Sequence, residues 1–252
     1  MAKITAIHSF RGGTGKSNTT ANIAALIAAE GMRVGVVDTD IQSPGIHVLF
    51  RFDPNRATYS LNDYLWGKCD IVHTAHDVTS LVDSRMGGKI YLIPSSVKTG
   101  DIARVLHYGY DVNLLRDGFL KLIDSLALDY LFIDTHPGLN EETLLSIALS
   151  DTMVIILRPD QQDYQGTAVT VEISRQLDLP RILLVLNKVP LSWDRKALAA
   201  KVAETYGCEV AGVLPHSDDM MTLASAGIFV TQYRDHPLTR EFEAIARKIG
   251  EA

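Results

Sequence analysis

The sequence predicts an α/β fold, in which a mainly parallel, twisted sheet of about seven or eight strands carries helices on both faces as three layers. Two observations support this fold class. Short continuous apolar runs, typical of parallel strands covered on both faces, alternate with longer segments of helical spacing. In addition, 252 residues with 46% hydrophobic content can bury a large core without a linker-like segment or internal repeat. We therefore expect a single domain over residues 1–252.

The apolar runs define the expected strands in chain order. They cover residues 4–8, 33–37, 89–93, 130–134, 152–157, 181–186 and 209–214. Helical spacing predicts helices over residues 17–30, 58–67, 112–126, 164–177, 194–206 and 237–249. Right-handed crossovers should join the parallel strands. The last helix carries mixed charges around one apolar face, so we expect it to dock onto the core rather than onto a membrane surface.

The composition and the N-terminal sequence indicate the compartment in which the protein acts. The net charge of −6 does not indicate a general polyanion binder. Cys69 and Cys208 are the only cysteines and lie far apart, which excludes a disulfide framework and a C-x-x-C metal site. The N-terminus lacks a signal-peptide pattern, and no apolar run approaches the roughly 18 residues that span a bilayer. We expect a cytoplasmic protein in a reducing compartment.

A glycine-rich loop, SFRGGTGKSN at residues 9–18, joins the first strand to the first helix. Because the loop ends at a helix N-terminus, unpaired backbone N–H groups and the positive end of the helix dipole converge there and favour an anion. Gly12, Gly13 and Gly15 permit positive φ and let a phosphate approach the amides. A tight turn with an incidental lysine is the alternative. The order of strand, glycines, Lys-Ser and helix favours phosphate binding.

Two residues at the end of this loop carry the expected chemistry. Lys16 would reach the β- and γ-phosphates of a nucleotide, and the Ser17 hydroxyl would bind Mg²⁺. The usual P-loop pattern G-x-x-x-x-G-K-[ST] has glycine where this chain has Phe10. The segment is therefore a deviant P-loop.

Carboxylates stand at the ends of two predicted strands. Asp38 and Asp40 follow the run 33–37, and Asp134 ends the run 130–134, where ligands of parallel sheets bind. An Asp-x-Asp by itself is equally a cap or a turn. Beside a P-loop, Mg²⁺ and an attacking water both need such carboxylates. His136 could be a catalytic base, but we interpret it as a polar loop residue because this chemistry depends mainly on positioning.

The edge of the sheet that would hold a nucleotide base is marked by Asn187 and Pro215, each at the end of a late strand. A guanine-selective N-K-x-D loop would place a carboxylate at position 190 to accept the guanine N–H groups, whereas this chain has Pro190. The sequence therefore favours adenine over guanine.

With these motifs the chain resembles the MinD/ParA family of deviant Walker A P-loop ATPases. The resemblance covers nearly the whole chain and is carried by RGGTGKS (11–17), VVDTD (36–40), LFIDTHPG (131–138), LNK (186–188) and LP (214–215). It implies binding of ATP and Mg²⁺ and a homodimer with ATP sandwiched at the interface. It also implies slow hydrolysis stimulated by an activating partner protein or cargo adaptor, in a bacterial or archaeal cytoplasm.

The resemblance implies roles for individual residues. Asp38 and Asp134 correspond to carboxylates that hold the metal through water, with Ser17 as its hydroxyl ligand. Asp40 resembles the residue that positions the hydrolytic water. Those that would bind the nucleotide are Gly12, Gly13, Thr14, Gly15, Lys16, Ser17, Asn18, Asn187 and Pro215.

Arg11 is the main departure from the family pattern. The family usually has a lysine there that reaches across the dimer to the phosphates of the partner subunit. Arginine keeps the positive charge and adds a bidentate fork, so we hypothesise that Arg11 is a catalytic residue acting in trans. Asp160 matches an acidic position near the family's dimer interface.

The resemblance suggests a switch that positions DNA, a protein assembly or the division site. Non-specific DNA is one candidate surface, and a membrane is disfavoured by the mixed charges of the last helix. The basic residues are explained more simply as a solvated face than as a DNA footprint. They are Arg195, Lys196, Lys201, Arg234, Arg240, Arg247 and Lys248.

Two alternatives belong to the same superfamily. A metal- or cluster-delivery ATPase would present paired cysteines, and Cys69 and Cys208 do not form a sequence pair. A P-loop tyrosine kinase would carry a tyrosine-rich tail, whereas Tyr233 is the only tyrosine after Tyr206.

Overall fold

A computed structural model describes residues 2–251 and contains one sheet of eight strands. The strands are β1 (Lys3–His8), β2 (Arg33–Asp38), β3 (His76–Asp77), β4 (Lys89–Ile93), β5 (Tyr130–Asp134), β6 (Thr152–Leu157), β7 (Arg181–Val189) and β8 (Glu209–Pro215). Their order across the sheet is β3-β4-β2-β5-β1-β6-β7-β8. The pairs are parallel, apart from the antiparallel pairing of the short edge strand β3 with β4. The predicted α/β fold class is confirmed.

Helices connect most of the strands. They are α1 (Lys16–Ala29), α2 (Ile46–Leu49), α3 (Leu61–Leu65), α4 (Thr79–Val82), α5 (Thr99–Tyr108), α6 (Asn113–Leu126), α7 (Glu141–Ala148), α8 (Gln161–Gln176), α9 (Arg195–Tyr206), α10 (Asp218–Leu223), α11 (Phe229–Gln232) and α12 (Pro237–Gly250). Short 3₁₀ turns lie at Pro54–Arg56 and Ile71–Thr74.

The sequence patterns located the long elements but missed several short ones. The helix predicted over 58–67 is confined to α3, because Ser60 and Asp63 form a capping box that starts it. Strand β3 and helices α5 and α7 were not predicted. Helix α5 has an amphipathic pattern but buries only Val105, and β3, with two residues, is too short to show an alternating pattern.

The core lies on both faces of the sheet because successive strand residues point to opposite sides. In β1, Ile7 packs in the cluster that includes residues of α1 and α12, whereas Ala6 packs in the cluster that includes residues of α7, α8 and α9. Helix α6 covers the same face as α7 to α9 but next to β2, β4 and β5. The predicted three-layer arrangement therefore follows from strands that are apolar on both faces.

Helix α12 docks onto the core as its amphipathic pattern predicts. The apolar face consists of Leu238, Phe242, Ile245 and Ile249, each at most 3% exposed. Burying each such side chain contributes about 1.5–3 kcal/mol, which is enough to hold the helix against β8 and α1. Across residues 2–251 we find no helix with the length and apolar character required to cross a bilayer.

The carboxyl ends of β1, β2 and β5 lie side by side at one edge of the sheet. Asp38 of β2 pairs in register with Asp134 of β5, and Ile7 of β1 is the other register partner of Asp134. The glycine-rich loop and the two acidic loops therefore meet at this edge.

Candidate functional site

The glycine-rich loop is held in shape by contacts with the end of β7. Gly13 and Gly15 adopt φ of 76° and 101°, conformations that favour glycine. The Asn187 side chain donates from Nδ2 to the Thr14 carbonyl at 2.7 Å, and a Cβ at position 15 would lie 2.4 Å from the same nitrogen. Glycine is thus required at position 15 for Asn187 to support the loop.

The loop delivers Lys16 and Ser17 into the first turn of α1. Gly15 is the N-cap residue and supplies no side-chain cap, and the first turn contains no acidic residue. The backbone N–H groups of the first turn of α1 and the positive end of its dipole are therefore available to bind an anion. Lys16 is only 8% exposed, so its ammonium adds a poorly hydrated positive charge beside those amides.

The paired strand ends place two carboxylates inside the protein. Asp38 and Asp134 are buried, and Asp38 accepts hydrogen bonds from the backbone N–H groups of Asp40 at 3.1 Å and Gly45 at 3.3 Å. Burial, reinforced by the charge of Asp134, raises the pKa of Asp38 well above its usual range. Burial also raises the pKa of Asp134, against the opposing charge of Lys16.

These residues fit a divalent cation bound together with phosphate. Two adjacent buried carboxylates are costly to ionise without a nearby cation, and Mg²⁺ prefers oxygen ligands. The Ser17 hydroxyl lies within hydrogen-bond reach of Asp134 and lowers its pKa. Over residues 2–251 no group of three or more His, Cys, Asp or Glu side chains could hold a metal. Phosphate and water oxygens would therefore complete the coordination, as is usual for Mg²⁺ at nucleotide sites.

Asp40 and His136 meet although they are 96 positions apart in the chain. The His136 Nδ1 lies 2.7 Å from Asp40 Oδ1, which also accepts the Ser43 backbone N–H at 3.1 Å. Sequence analysis interpreted His136 as a polar loop residue. It does lie in a loop, but it contacts the carboxylate to which the resemblance gives the water-positioning role.

A cavity of about 460 Å³ opens beside the glycine-rich loop. Its wall contains Asn187 and Pro215, the two residues that the sequence marked for a base. It also contains side chains of α10 and α12 that the sequence did not mark, namely Met220, Met221, Leu238 and Phe242. Their carbon and sulfur atoms suit a flat, largely apolar ring. These helices follow the motifs in the chain, so no local pattern linked them to the site.

Phe10 stands where the usual P-loop pattern has glycine, and the structure explains how it is accommodated. Its ring packs on helix α8 at Gly166, where a Cβ would lie 2.2 Å from ring carbon atoms. A large side chain fits at position 10 because residue 166 has no side chain. Sequence analysis missed Gly166, since a glycine inside a helix carries no sign of its packing partner.

Arg11 is held within its own chain by the start of α8. Its guanidinium forms ion pairs with Asp160 at 3.7 Å and Asp163 at 3.6 Å. Asp160 is the N-cap residue of α8, and Asp163 is buried and forms a second ion pair with Arg158 at 3.0 Å. The structure therefore brings Arg11 to the acidic residue that the family pattern marked, but through a contact inside one subunit.

Comparisons with known proteins agree with this geometry. The family model ParA, described as NUBPL iron-transfer P-loop NTPase, matches residues 1–250. An uncharacterised ATP-binding protein of Methanocaldococcus jannaschii is 28% identical over 251 residues, which is 99% of this chain and 88% of the relative.

Solved structures show the same fold. The cell division ATPase MinD of Pyrococcus furiosus superposes with a TM-score of 0.83 at 19% identity, covering 100% of this chain and 99% of the other. The septum site-determining protein MinD of Pyrococcus horikoshii, solved as a complex with Mg-ADP, gives a TM-score of 0.81 at 18% identity and covers 99% and 96%.

Proposed function

The chain belongs to the ParA family of P-loop NTPases, and on that basis we propose that residues 1–252 act as one Mg²⁺-dependent ATPase domain of the MinD/ParA type. In this proposal the protein binds ATP, forms a homodimer with ATP at the interface, and hydrolyses it slowly until a partner stimulates turnover. The observation that supports it most is the register pairing of the buried Asp38 and Asp134 beside the uncapped N-terminus of α1.

Each group of the site has a distinct task in this proposal. The amides of residues 12–17 and the Lys16 ammonium bind the phosphates. Ser17 would hold Mg²⁺ directly, and Asp38 and Asp134 would hold it through water. When bound, Mg²⁺ neutralises charge on the phosphate oxygens. Asp40 orients the attacking water, so that catalysis depends on position and electrostatics rather than on a covalent step.

The apolar cavity is proposed to hold adenine between Asn187 and Pro215. One N–H of the Asn187 amide is used on the Thr14 carbonyl, and its oxygen accepts the Lys188 backbone N–H at 2.8 Å. A second N–H and a second lone pair of this amide remain for a base. Pro190 supplies no carboxylate, which supports adenine rather than guanine.

The surface on which such a switch acts would be DNA, a protein assembly or the division site. Several basic residues that could contact DNA are paired with acidic residues of the chain. Arg195 bonds Glu241 and Lys248 bonds Glu209, at 2.8 and 2.9 Å. These pairs support the solvated-face interpretation, because a phosphate backbone would have to displace the acidic partners.

Iron or cluster delivery is the second candidate, favoured by the description of the matching family. Paired thiols at a dimer interface would support it. Cys69 precedes the 3₁₀ turn that packs beside α6, whereas Cys208 immediately precedes β8 at the opposite edge of the sheet, so one subunit does not pair them. Absorbance spectra after anaerobic reconstitution with iron and sulfide would detect a cluster. A tyrosine kinase gains no support, since Tyr233 is stacked on Phe229 at 4.6 Å instead of lying in a tail.

The decisive experiment compares wild type with Asp40→Ala. Size-exclusion chromatography with ATP or ADP should show ATP-dependent dimers for both proteins, whereas phosphate release should fall by about 100-fold in the variant. Asp117→Ala, an exposed change on α6, should behave as wild type. A variant that fails to dimerise, or that turns over normally, contradicts the proposal. Co-sedimentation of the ATP-bound variant with duplex DNA or with anionic vesicles then separates the candidate surfaces.

A further inference from the structure

We propose that His136 is a positioning residue that holds the Asp40 carboxylate in the orientation needed for hydrolysis. The inference rests on the proposed ATPase function and adds to it a residue outside the roles that the family resemblance assigns. The observation behind it is the 2.7 Å contact between His136 Nδ1 and Asp40 Oδ1.

The direction of this hydrogen bond follows from the chemistry of the two groups. An ionised carboxylate only accepts, so the proton belongs to Nδ1 of His136. A neutral ring and a protonated ring both carry that proton when Nδ1 faces the carboxylate, so the contact does not require a particular charge state. In the neutral ring, the lone pair is then on Nε2.

Both partners lie in loops that hydrogen bonds hold in place. Asp40 lies in the irregular segment between β2 and α2, where its backbone N–H donates to Asp38 Oδ1 at 3.1 Å. The loop of His136 is tied to the end of β1 on both sides. The Thr135 hydroxyl donates to the Ile7 carbonyl at 3.1 Å, and the Gly138 N–H donates to the Ser9 carbonyl at 3.3 Å. The anchored loop therefore places the imidazole N–H so that, together with the Ser43 N–H, it fixes the rotation of the Asp40 carboxylate.

The hydrogen bonds also select one oxygen of that carboxylate. His136 and the Ser43 backbone N–H both donate to Oδ1. Within the described chain this leaves Oδ2 as the oxygen that can accept from a water. The side chains of His136 and Asp40 are 27% and 15% exposed, so their contact contributes little to the stability of the fold. Its main consequence is the orientation of the Asp40 carboxylate.

The test measures single-turnover hydrolysis of Mg·ATP by the full chain. His136→Ala should be slower by about tenfold, with Mg·ATP affinity within about twofold of wild type. His136→Asn should recover most of the rate, because its amide nitrogen lies where Nδ1 lies and donates the same bond. In an Asp40→Ala background, His136→Ala should have no further effect.

A readout without nucleotide checks the geometry independently. Histidine-selective ¹⁵N NMR of the free protein should find the His136 proton on Nδ1, and Asp40→Ala should remove that preference. Wild-type turnover in His136→Ala, or an Asn variant as slow as the Ala variant, overturns the inference while leaving the ATPase proposal intact. A wild-type protein that neither binds nor hydrolyses Mg·ATP overturns both.

Discussion

Lys16 and Arg11 are two cations of one loop, five positions apart, and they are held in different ways. Lys16 is 8% exposed and begins α1, so the helix backbone sets its position. Arg11 has a side chain that is 40% exposed, and ion pairs of 3.6–3.7 Å with Asp160 and Asp163 hold it. The position of Lys16 is determined by the backbone of α1, and that of Arg11 by side-chain contacts.

This difference matches the tasks proposed for them. A residue that acts on its own subunit's phosphate gains from a position that cannot change. A residue that reaches a second subunit must first leave its own partners. The ion pair of Arg11 with Asp160, in which both side chains are 40% exposed, costs only about 0–1 kcal/mol to break. Asp163 would not be left unpaired, because Arg158 still bonds it at 3.0 Å. On dimerisation, Arg11 can therefore exchange its contact with α8 for a contact with the partner subunit.

The largest expected effect is that of Lys16→Ala. Loss of a buried, charge-assisted phosphate contact should weaken Mg·ATP binding by roughly 100-fold and leave no ATP-dependent dimer. Calorimetry and size-exclusion chromatography measure the two consequences. Lys196→Ala removes an exposed lysine of α9 and should leave both unchanged. If Lys16→Ala and Lys196→Ala bind Mg·ATP and dimerise equally well, the buried position of Lys16 is not needed for nucleotide binding.

Arg11→Ala should separate hydrolysis from stability. We expect turnover to fall by about 100-fold, while the free energy of unfolding changes by less than about 1 kcal/mol. Mixing Arg11→Ala with Asp40→Ala tests action in trans. If Arg11 acts on the partner subunit, each mixed dimer has one site with both residues, whereas action in cis leaves both sites incomplete. Phosphate release by the mixture should exceed the sum of the separate variants. Additive rates would place Arg11 in cis and remove the contrast with Lys16.

At neutral pH the smallest effect is that of His8, at the end of β1, because it appears only at acidic pH. Burial, followed by the charges of Lys16 and His136, lowers the pKa of His8 to about 3. Between pH 3 and 6.5, His8 therefore binds more protons in the unfolded chain than in the folded one. Its contribution to the free energy of unfolding is fully present above pH 6.5 and is lost as the pH falls. At pH 4 the loss through His8 should be about 3 kcal/mol.

Urea unfolding of wild type and His8→Asn from pH 7 to 4 measures this loss. Asparagine can still donate to the Thr135 hydroxyl, which lies 2.8 Å from His8 Nδ1, but it does not titrate. The variant should therefore lose less stability than wild type as the pH falls. Parallel curves would show that neither burial nor the charge of Lys16 lowers the pKa of His8, and would weaken the contrast with the more exposed Arg11.

Much of the fold and part of the site were predictable from local patterns. The long strands and helices, the deviant P-loop and the acidic strand ends depend on neighbours within a few positions, and the register of β2 with β5 then brings Asp38 and Asp134 together. Helix α5 was missed although its pattern is amphipathic, and β3 was missed because two residues cannot show an alternating pattern.

Local chemistry along the chain was thus sufficient to define the α/β class, the glycine-rich loop and the acidic strand ends beside it. The packing of distant segments determined the remaining features, which are the support of Thr14 by Asn187, the fit of Phe10 on Gly166 and the contact of His136 with Asp40. The physical reason is that secondary structure arises from periodic burial and backbone sterics, which one sequence records. A single contact between remote side chains has no period and becomes visible only when the sheet brings its ends together.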